Sequence, residues 1–157
     1  MYESNHLAKH LRTASLKQND AVFIHNHEND QLISFEDFFQ NAEKIASALI
    51  SAGIQPGDRV AMQVEKSYSA LELYFGAILS GAGFLPLNTA YVPEEIDFFL
   101  RDAQPYVFVC DPAKLRNLNK IAKTAYSKKS FNNKSLDDTS PLLLLGTNIW
   151  YRCLADL

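Results

Sequence analysis

The sequence of 157 residues contains only two cysteines, Cys110 and Cys153. Two cysteines so far apart make neither a disulfide framework nor a zinc site. Cys110 ends the apolar run 106–110, so we expect its thiol to be buried and to pack as a small hydrophobic group. This cysteine usage fits a reducing compartment, and a cytoplasmic location is expected.

Long apolar runs and concentrated charge are missing as well. No stretch approaches the roughly 18 apolar residues that span a membrane, and the first residues lack the regions of a secretory signal. The formal net charge is −3, and the one dense basic spot, Lys128 and Lys129 with Lys134 nearby, is soon followed by Asp137 and Asp138. Nucleic-acid binding needs a concentrated basic face. We therefore expect neither nucleic acid nor a membrane as a partner.

The usual catalytic motifs are also absent. The sequence has no nucleophile elbow, no Walker loop and no Ser/His/Asp arrangement at readable spacing. The glycines at 81 and 83 join a predicted helix to a predicted strand, the wrong direction for a dinucleotide-binding loop. We predict that they end the helix and let the chain reverse.

The four histidines form two pairs with spacings that could hold a metal ion. His6 and His10 are four residues apart on a predicted helix, and His25 and His27 lie on one side of a strand end. Glu does not follow His6, and neither pair has an evident third ligand. We predict exposed histidines and assign no metal-binding residue.

The connection 64–68 leaves a predicted strand and opens a predicted helix, and it contains Lys66 and Ser67 but no glycine. Open α/β sheets bind ligands at the carboxyl ends of their strands, so Lys66 is placed where it can face a ligand. A solvated lysine is the favoured alternative, and Ser67 is predicted to cap the helix.

The first part of the chain predicts a helix, a hairpin and a helix. Apolar residues at helical spacing mark a helix over 5–16 with Asn5 as its cap, and strands at 21–24 and 32–33 flank a turn at 26–30. Ser34 is a predicted N-cap, and Gly53 lies where a glycine commonly follows a helix.

Strands and helices then alternate in the predicted pattern. The strands are 59–64, 83–87 and 106–110, and the helices are 68–80, 93–102 and 112–125. Short connections between them predict an α/β fold with a parallel βαβαβα sheet. The apolar strands are expected to be covered on both faces. We expect one partial domain over 1–126 and an irregular, poorly packed tail over 127–157, because 127–141 is polar.

An ordered set of short runs across about residues 5–125 resembles the adenylate-forming superfamily, which holds acyl-CoA synthetases, luciferases and peptide-synthetase adenylation domains. The runs are Gly-Asp-Arg-Val-Ala at 57–61, Gly-Ala-Ile at 76–78, Gly-Ala-Gly-Phe-Leu-Pro-Leu-Asn at 81–88, Glu-Glu at 94–95, Leu100, Asp-Ala-Gln-Pro at 102–105 and Val-Cys-Asp at 109–111. The resemblance implies the N-terminal part of the large domain of such an enzyme.

Three runs are similar to malonyl-CoA synthetases within this superfamily. They are Asn-His-Leu at 5–7, Val-Glu-Lys-Ser at 64–67 and Pro-Leu-Asn-Thr-Ala-Tyr at 86–91. Many relatives have Asn-Pro where this chain has Asn88 and Thr89. The resemblance implies a ligase of fatty acid metabolism that uses ATP, Mg²⁺, CoA and a small malonate-like acid. The acid's carboxylate attacks the α-phosphate of ATP to form an acyl-adenylate, and the CoA thiol then displaces AMP.

The sequence departs from this family after residue 147. Residues 142–147 are similar to the strand that enters the family's phosphate-binding loop, but Asn-Ile-Trp-Tyr-Arg at 148–152 stands in place of Ser, Thr, Gly and lysine. The adenine pocket, the arginine for the substrate carboxylate and the catalytic lysine lie further downstream in the family. We therefore assign no catalytic or cofactor-binding residue, and we expect the isolated chain to bind no cofactor and to be inactive.

Two alternatives remain open at this point. The alternatives to a truncated ligase are a non-catalytic binding or regulatory module that pairs with a separately encoded remainder, and an unrelated nucleotide-binding α/β domain. Co-purification of a partner favours the former, and tight nucleotide binding favours the latter. A lone half domain also exposes apolar surface, so self-association is expected.

The tail after about residue 148 is predicted to be read out of the ancestral frame. Caps, periodicity and turns agree up to residue 125, whereas after 147 neither a family motif nor an apolar period is present. Translating all three frames of the coding DNA from just before codon 148 tests this prediction. The Ser/Thr/Gly–Lys loop is expected in another frame, and its absence from every frame would refute the frameshift.

Overall fold

The computed structural model describes residues 5–18, 20–27 and 30–111, the single residues 114, 118 and 121, and the backbone of 142–144. Most of the predicted helix 112–125 and of the tail 127–157 lies outside the described residues. In chain order, the elements are α1 (His6–Lys17), β1 (Val22–Asn26), β2 (Gln31–Ser34), α2 (Phe35–Ser51), β3 (Arg59–Gln63), α3 (Tyr68–Leu79), β4 (Gly83–Pro86), α4 (Pro93–Ala103), β5 (Val107–Cys110) and β6 (Leu142–Leu144).

These elements divide into two compact units. The first unit contains the described residues up to 57 together with 66–83, and the second contains 58–65 together with the described residues from 84 onward. Each unit has its own cluster of buried apolar side chains. No helix of the described residues combines the length and the apolar character that crossing a bilayer requires.

The helices of the first unit begin where the sequence predicts. Asn5, Ser34 and Ser67 are each extended and accept a hydrogen bond from the first turn of the following helix. Such caps satisfy amides that have no partner within the helix. The three bonds run from Ala8 N to Asn5 Oδ1 at 3.1 Å, from Asp37 N to Ser34 Oγ at 3.0 Å, and from Ala70 N to Ser67 Oγ at 3.1 Å.

Two glycines end the helices α2 and α3. Gly53 and Gly81 have φ angles of 95° and 85°, a left-handed backbone that favours glycine. After α2, the N–H of Ile54 donates to the carbonyl of Leu49 at 3.1 Å, which closes the helix end. The prediction that the glycine at 81 ends its helix is confirmed.

Aromatic rings fill the core of the first unit. The hairpin of β1 and β2 is antiparallel, and Phe23 on β1 contacts rings of α2 and α3. Ring centroids in the cluster lie 4.5–6.4 Å apart, mostly tilted or edge-to-face, which are favoured arrangements for aromatic pairs. The members are Phe23, Phe35, Phe38, Phe39 and Phe75.

Gly76 lets α2 and α3 approach each other closely. A Cβ at this position would lie 2.6 Å from Cγ2 and 2.8 Å from Cβ of Ile45, and 3.1 Å from the carbonyl oxygen of Ala42. The Cβ of Ile45 and a backbone oxygen cannot rotate away. The separation of the two helices therefore depends on the missing side chain of Gly76.

A buried carboxylate also lies between α2 and α3. Glu72 is only 6% exposed, and its Oε1 accepts a hydrogen bond of 3.0 Å from the amide of Asn41. Burial raises the pKa of Glu72, while the Asn41 hydrogen bond and the charge of Lys44 act in the opposite direction. Burial is the strongest of the three influences, so the ionised form is disfavoured in the folded chain.

The second unit contains a sheet with the strand order β4-β3-β5-β6. β3 pairs with β5 in parallel, and β5 pairs with β6 in parallel. Side chains of the sheet and α4, including Ile96, Leu100 and Phe108, are buried in one apolar cluster. The predicted α/β fold with a parallel sheet, preceded by a helix, a hairpin and a helix, is confirmed.

Burial differs among the strands. All four side chains of β5 are buried, as expected of a strand covered on both faces. The same expectation is wrong for β4, where Gly83 and Pro86 are exposed and the two residues between them are half-buried. β4 is the outer strand, and proline is tolerated there because an outer strand needs fewer backbone donors.

We expect Gly76→Ala to lower the free energy of unfolding by about 1–3 kcal/mol. Alanine favours a helix over glycine by about 1 kcal/mol, but here its methyl group overlaps Ile45 and Ala42. Urea unfolding followed by circular dichroism measures the change. Ser47→Ala, on the exposed side of α2, is the control and should stay within about 0.5 kcal/mol of the wild type. A stabilised Gly76→Ala protein would contradict the close approach.

Glu72→Gln is expected to raise Tm at pH 7.5 by roughly 1–4 °C. Glutamine keeps the acceptor for Asn41 and removes the unfavourable buried charge. That charge penalty is fully present above the raised pKa of Glu72 and disappears as the pH falls toward its ordinary value of 4.5. The gain should therefore shrink on acidification. Thermal unfolding across this pH range measures it, with the exposed Glu65→Gln as control; a gain that does not vary with pH would refute the assignment.

Candidate functional site

The carboxyl ends of β3 and β5 form the edge where an open α/β sheet binds ligands. Parallel pairing places the last residues of these strands, Gln63 and Cys110, opposite each other. Both side chains are buried, with at most 1% of their surface exposed. The chemistry available at this edge therefore depends on an amide, a thiol and the loops that follow the strands.

Gln63 holds the turn formed by residues 88–91. Its Nε2 donates to the carbonyl oxygens of Asn88 at 3.0 Å and Tyr91 at 3.2 Å. Two carbonyl acceptors fix which end of the amide is the nitrogen, because an amide oxygen cannot donate. The 88–91 turn is thus tied to the end of β3.

Three further contacts hold the 88–91 turn. The Oδ1 of Asn88 accepts a hydrogen bond of 2.9 Å from the N–H of Ala90, as asparagine commonly does in turns. The Nζ of Lys114 donates to the carbonyl of Thr89 at 2.8 Å. Tyr91 stacks on Phe99 of α4 with ring centroids 5.0 Å apart. The turn is therefore held from β3, from the segment after β5 and from α4.

The remaining atom of the Gln63 amide has no partner among the described residues. Its Oε1 is buried and accepts no hydrogen bond from them. Most buried polar atoms in proteins are hydrogen-bonded. At this edge, the Oε1 atom of Gln63 can accept a hydrogen bond from a donor outside the described residues.

Cys110 is unsuited to nucleophilic chemistry. Burial and the neighbouring carboxylate of Asp111 raise the pKa of the Cys110 thiol to about 11, although Lys114 acts in the opposite direction. Because the thiolate is the reactive form, the group is inert near neutral pH. The prediction that Cys110 packs as a small buried hydrophobe is confirmed.

The candidates in the connection 64–68 take different roles. Ser67 caps α3 as predicted. Lys66 is exposed, and its predicted alternatives of ligand contact and solvation both remain predictions. Neither residue belongs to the hydrogen-bonded set around the 88–91 turn.

The two histidine pairs lie in separate elements of the first unit. His6 and His10 are exposed on α1. The rings of His25 and His27 are 4.2 Å apart, and His25 Nε2 lies 2.7 Å from Asp30 Oδ1. Within the described part of the chain, His, Cys, Asp and Glu side chains form no group of three that could hold a metal ion.

The described residues do not fit a triphosphate. Binding such charge takes backbone amides at a glycine-rich loop together with a cation. The connection 64–68 has no glycine, Ser67 is used as a cap, and the Gln63 amide donates to two carbonyls. No step of nucleotide chemistry is therefore assigned to these side chains.

The sequence did not single out Gln63 or Lys114. Gln63 is the one polar residue among the last four of β3, Val-Ala-Met-Gln. A buried amide at the carboxyl end of a strand is a detectable signal, because burial requires partners for it. The role of Lys114 depends on a contact across 25 residues of sequence, which local patterns do not carry.

Comparison with known proteins assigns a family. The model of the AMP-binding enzyme family matches residues 10–143. The mitochondrial medium-chain acyl-CoA ligase ACSF2 of Danio rerio is 33% identical over 84 residues, which cover 54% of this chain and 14% of that protein. A dimodular nonribosomal peptide synthase of Bacillus subtilis is 30% identical over 142 residues, covering 82% of this chain and 6% of the synthase.

Solved structures agree with this assignment. ATP-bound MatB from Rhodopseudomonas palustris matches with a TM-score of 0.71 and 37% identity, covering 76% of this chain and 24% of MatB. Apo MatB matches with a TM-score of 0.65 and 39% identity, covering 68% and 21%. The chain thus spans a quarter or less of the length of these relatives. The matches overturn the alternative of an unrelated nucleotide-binding domain, and the chain belongs to the AMP-binding enzyme family.

Proposed function

We propose that the chain is the N-terminal part of an ATP-dependent acid–CoA ligase of the malonyl-CoA synthetase type, and that alone it is inactive. Membership of the AMP-binding family supports the ligase class, as does the likeness to an acyl-CoA ligase. The malonyl type is supported by the runs at 64–67 and 86–91. Inactivity is supported chiefly by one observation, the absence of a phosphate-binding loop from this sequence.

Charge explains why this absence matters. The proposed reaction joins a carboxylate to the α-phosphate of ATP and breaks the bond to the β-phosphate, which releases pyrophosphate, so two negative groups must meet. Donors and cations placed in advance around the phosphates supply most of the stabilisation in phosphoryl-type chemistry. The described edge offers the Gln63 amide and Lys114, and both already bind carbonyls of the 88–91 turn. Catalysis by the proposed ligase therefore depends on residues outside this set.

The contribution of this chain to such a ligase is positioning. The 88–91 turn is held by hydrogen bonds from Gln63 and Lys114 and by stacking of Tyr91 on Phe99. Groups held by several contacts stay near one geometry, which substrate-binding surfaces require. The acid in this proposal is small and malonate-like, and CoA is the acceptor.

The proposal extends to location and metabolism. We propose a cytoplasmic enzyme of fatty acid metabolism. The buried, unreactive thiol of Cys110 is compatible with a reducing compartment.

The isolated chain is expected to bind Mg-ATP more weakly than about 1 mM and to release no AMP with malonate and CoA. The reason is that the sequence contains no Ser/Thr/Gly-rich loop with a lysine to neutralise the phosphate charge. Isothermal titration and an AMP-release assay measure the two quantities. MatB from Rhodopseudomonas palustris, which has an ATP-bound structure, is the positive control for nucleotide binding.

Two outcomes would contradict the proposal. AMP release above background that depends on malonate would place catalytic groups within the chain. Micromolar binding of Mg-ATP without AMP release would mean that the described edge, or the tail beyond it, neutralises phosphate after all. Circular dichroism on the same sample verifies that a negative result comes from folded protein.

A further inference from the structure

The outward face of α4 carries an exposed aromatic ring among carboxylates. Phe98 is 64% exposed, the largest value for a bulky apolar side chain in the described part of the chain. Three acidic residues and one basic residue lie one helical turn before or after it, where side chains share its face. They are Glu94, Glu95, Arg101 and Asp102.

The ring of Phe98 is not needed to pack α4 against its own unit. Ile96 and Leu100 are the buried residues of this helix. Phe98 meets Phe99 edge-on with ring centroids 5.5 Å apart, and Phe99 in turn stacks on Tyr91. Phe99 thus contacts one edge of the Phe98 ring, and the rest of that ring is open to a partner.

Two of the carboxylates are available to a partner. Glu95 accepts a hydrogen bond from the N–H of Val92, and Arg101 is paired with Asp97 at 2.8 Å. Glu94 and Asp102 form no ion pair with another described residue. They are eight residues apart with Phe98 midway between them, so a line of acid, ring and acid follows one side of the helix for about 12 Å.

The outward face of α1 has the complementary pattern. α1 contains no acidic residue, and Lys9 and Lys17 are exposed. They too are eight residues apart, with the small side chain of Thr13 midway between them. Leu16, one helical turn beyond Thr13, is 60% exposed. Arg12 is excluded from this face because it pairs with Glu43 at 3.1 Å.

We propose that the α4 face (Glu94, Phe98 and Asp102) of one copy binds the α1 face (Lys9, Thr13, Leu16 and Lys17) of a second copy. The equal spacing of the two charges on each helix lets both acid–base pairs form at once. Phe98 then covers Thr13 and packs against Leu16 and the aliphatic stems of the lysines. Since every copy carries both faces, the contact is heterologous and needs no other protein.

The contact is small, because it consists of one helix face on another, and it is therefore weak. Sedimentation velocity should show association that rises with concentration, with a dissociation constant on the order of 10–500 µM at low salt. Raising NaCl from about 50 to 500 mM should weaken it severalfold, because salt screens exposed charges. A chain that stays monomeric throughout, or associates equally at both salt concentrations, would overturn the proposal.

Phe98→Ser tests the apolar part of the contact and is expected to weaken association about tenfold or more. Leu32→Ser is the matched control, since Leu32 is 59% exposed but lies on the hairpin, outside both faces. It should leave association unchanged. Equal loss in both variants would mean general apolar stickiness and would overturn the proposal.

Charge reversal tests which faces meet. The α1 variant carries Lys9→Glu and Lys17→Glu, and the α4 variant carries Glu94→Lys and Asp102→Lys. Each alone should associate about tenfold more weakly than the wild type. An equimolar mixture should regain association, because the acidic α1 face of one variant then meets the basic α4 face of the other, and the two unchanged faces also meet as in the wild type. These residues are exposed, and unchanged circular dichroism confirms folding. No loss in either variant, or no recovery in the mixture, would refute the pairing.

Discussion

Parallel pairing of β3 with β5 is the constraint on which the described edge depends. The register places Gln63 opposite Cys110 and brings both buried side chains to the carboxyl end of the sheet. A slip of one residue would turn every side chain of β3 to the opposite face. The amide of Gln63 would then lose the carbonyls of the 88–91 turn, and Val64 would take its place.

The first unit depends on contacts of a different kind. Its helices α2 and α3 are set close together by a glycine, and the space around them is filled by phenylalanine rings. Close packing also encloses the carboxylate of Glu72. This group accepts a hydrogen bond from the amide of Asn41, while burial disfavours its ionised form. A buried acid is tolerated when hydrogen-bonded, but it makes the stability of the packed helices depend on its protonation.

Local chemistry made much of the fold predictable. Asn5, Ser34 and Ser67 cap their helices because a short polar side chain reaches the first free amides, a rule that needs no tertiary information. Gly53 and Gly81 end helices for an equally local reason. The non-glycine residue Gln104 takes the same left-handed conformation at the end of α4. Glutamine does not favour this conformation, so the residue type does not predict it.

Contacts distant in sequence were not predictable from the pattern. Gln63 reaches carbonyls 25 and 28 residues away, and Lys114 reaches a carbonyl 25 residues before it. The exposure of β4 follows from its outer place in the sheet, which strand order decides and apolar content does not. The family resemblance could be recognised from the sequence because it lies in runs of neighbouring residues. The site at the end of β3 is formed instead by hydrogen bonds between residues that are distant in sequence.

The 88–91 turn is anchored through main-chain oxygens, and this makes its shape independent of most of its side chains. Gln63 and Lys114 donate to the carbonyls of residues 88, 89 and 91, which every amino acid possesses. At position 89 only the carbonyl takes part in these contacts. Proline lacks an N–H but keeps its carbonyl, so a proline at position 89 would lose no hydrogen bond of this set. The hydrogen bonds that Gln63 and Lys114 donate to this turn therefore place no demand on the side chain at position 89.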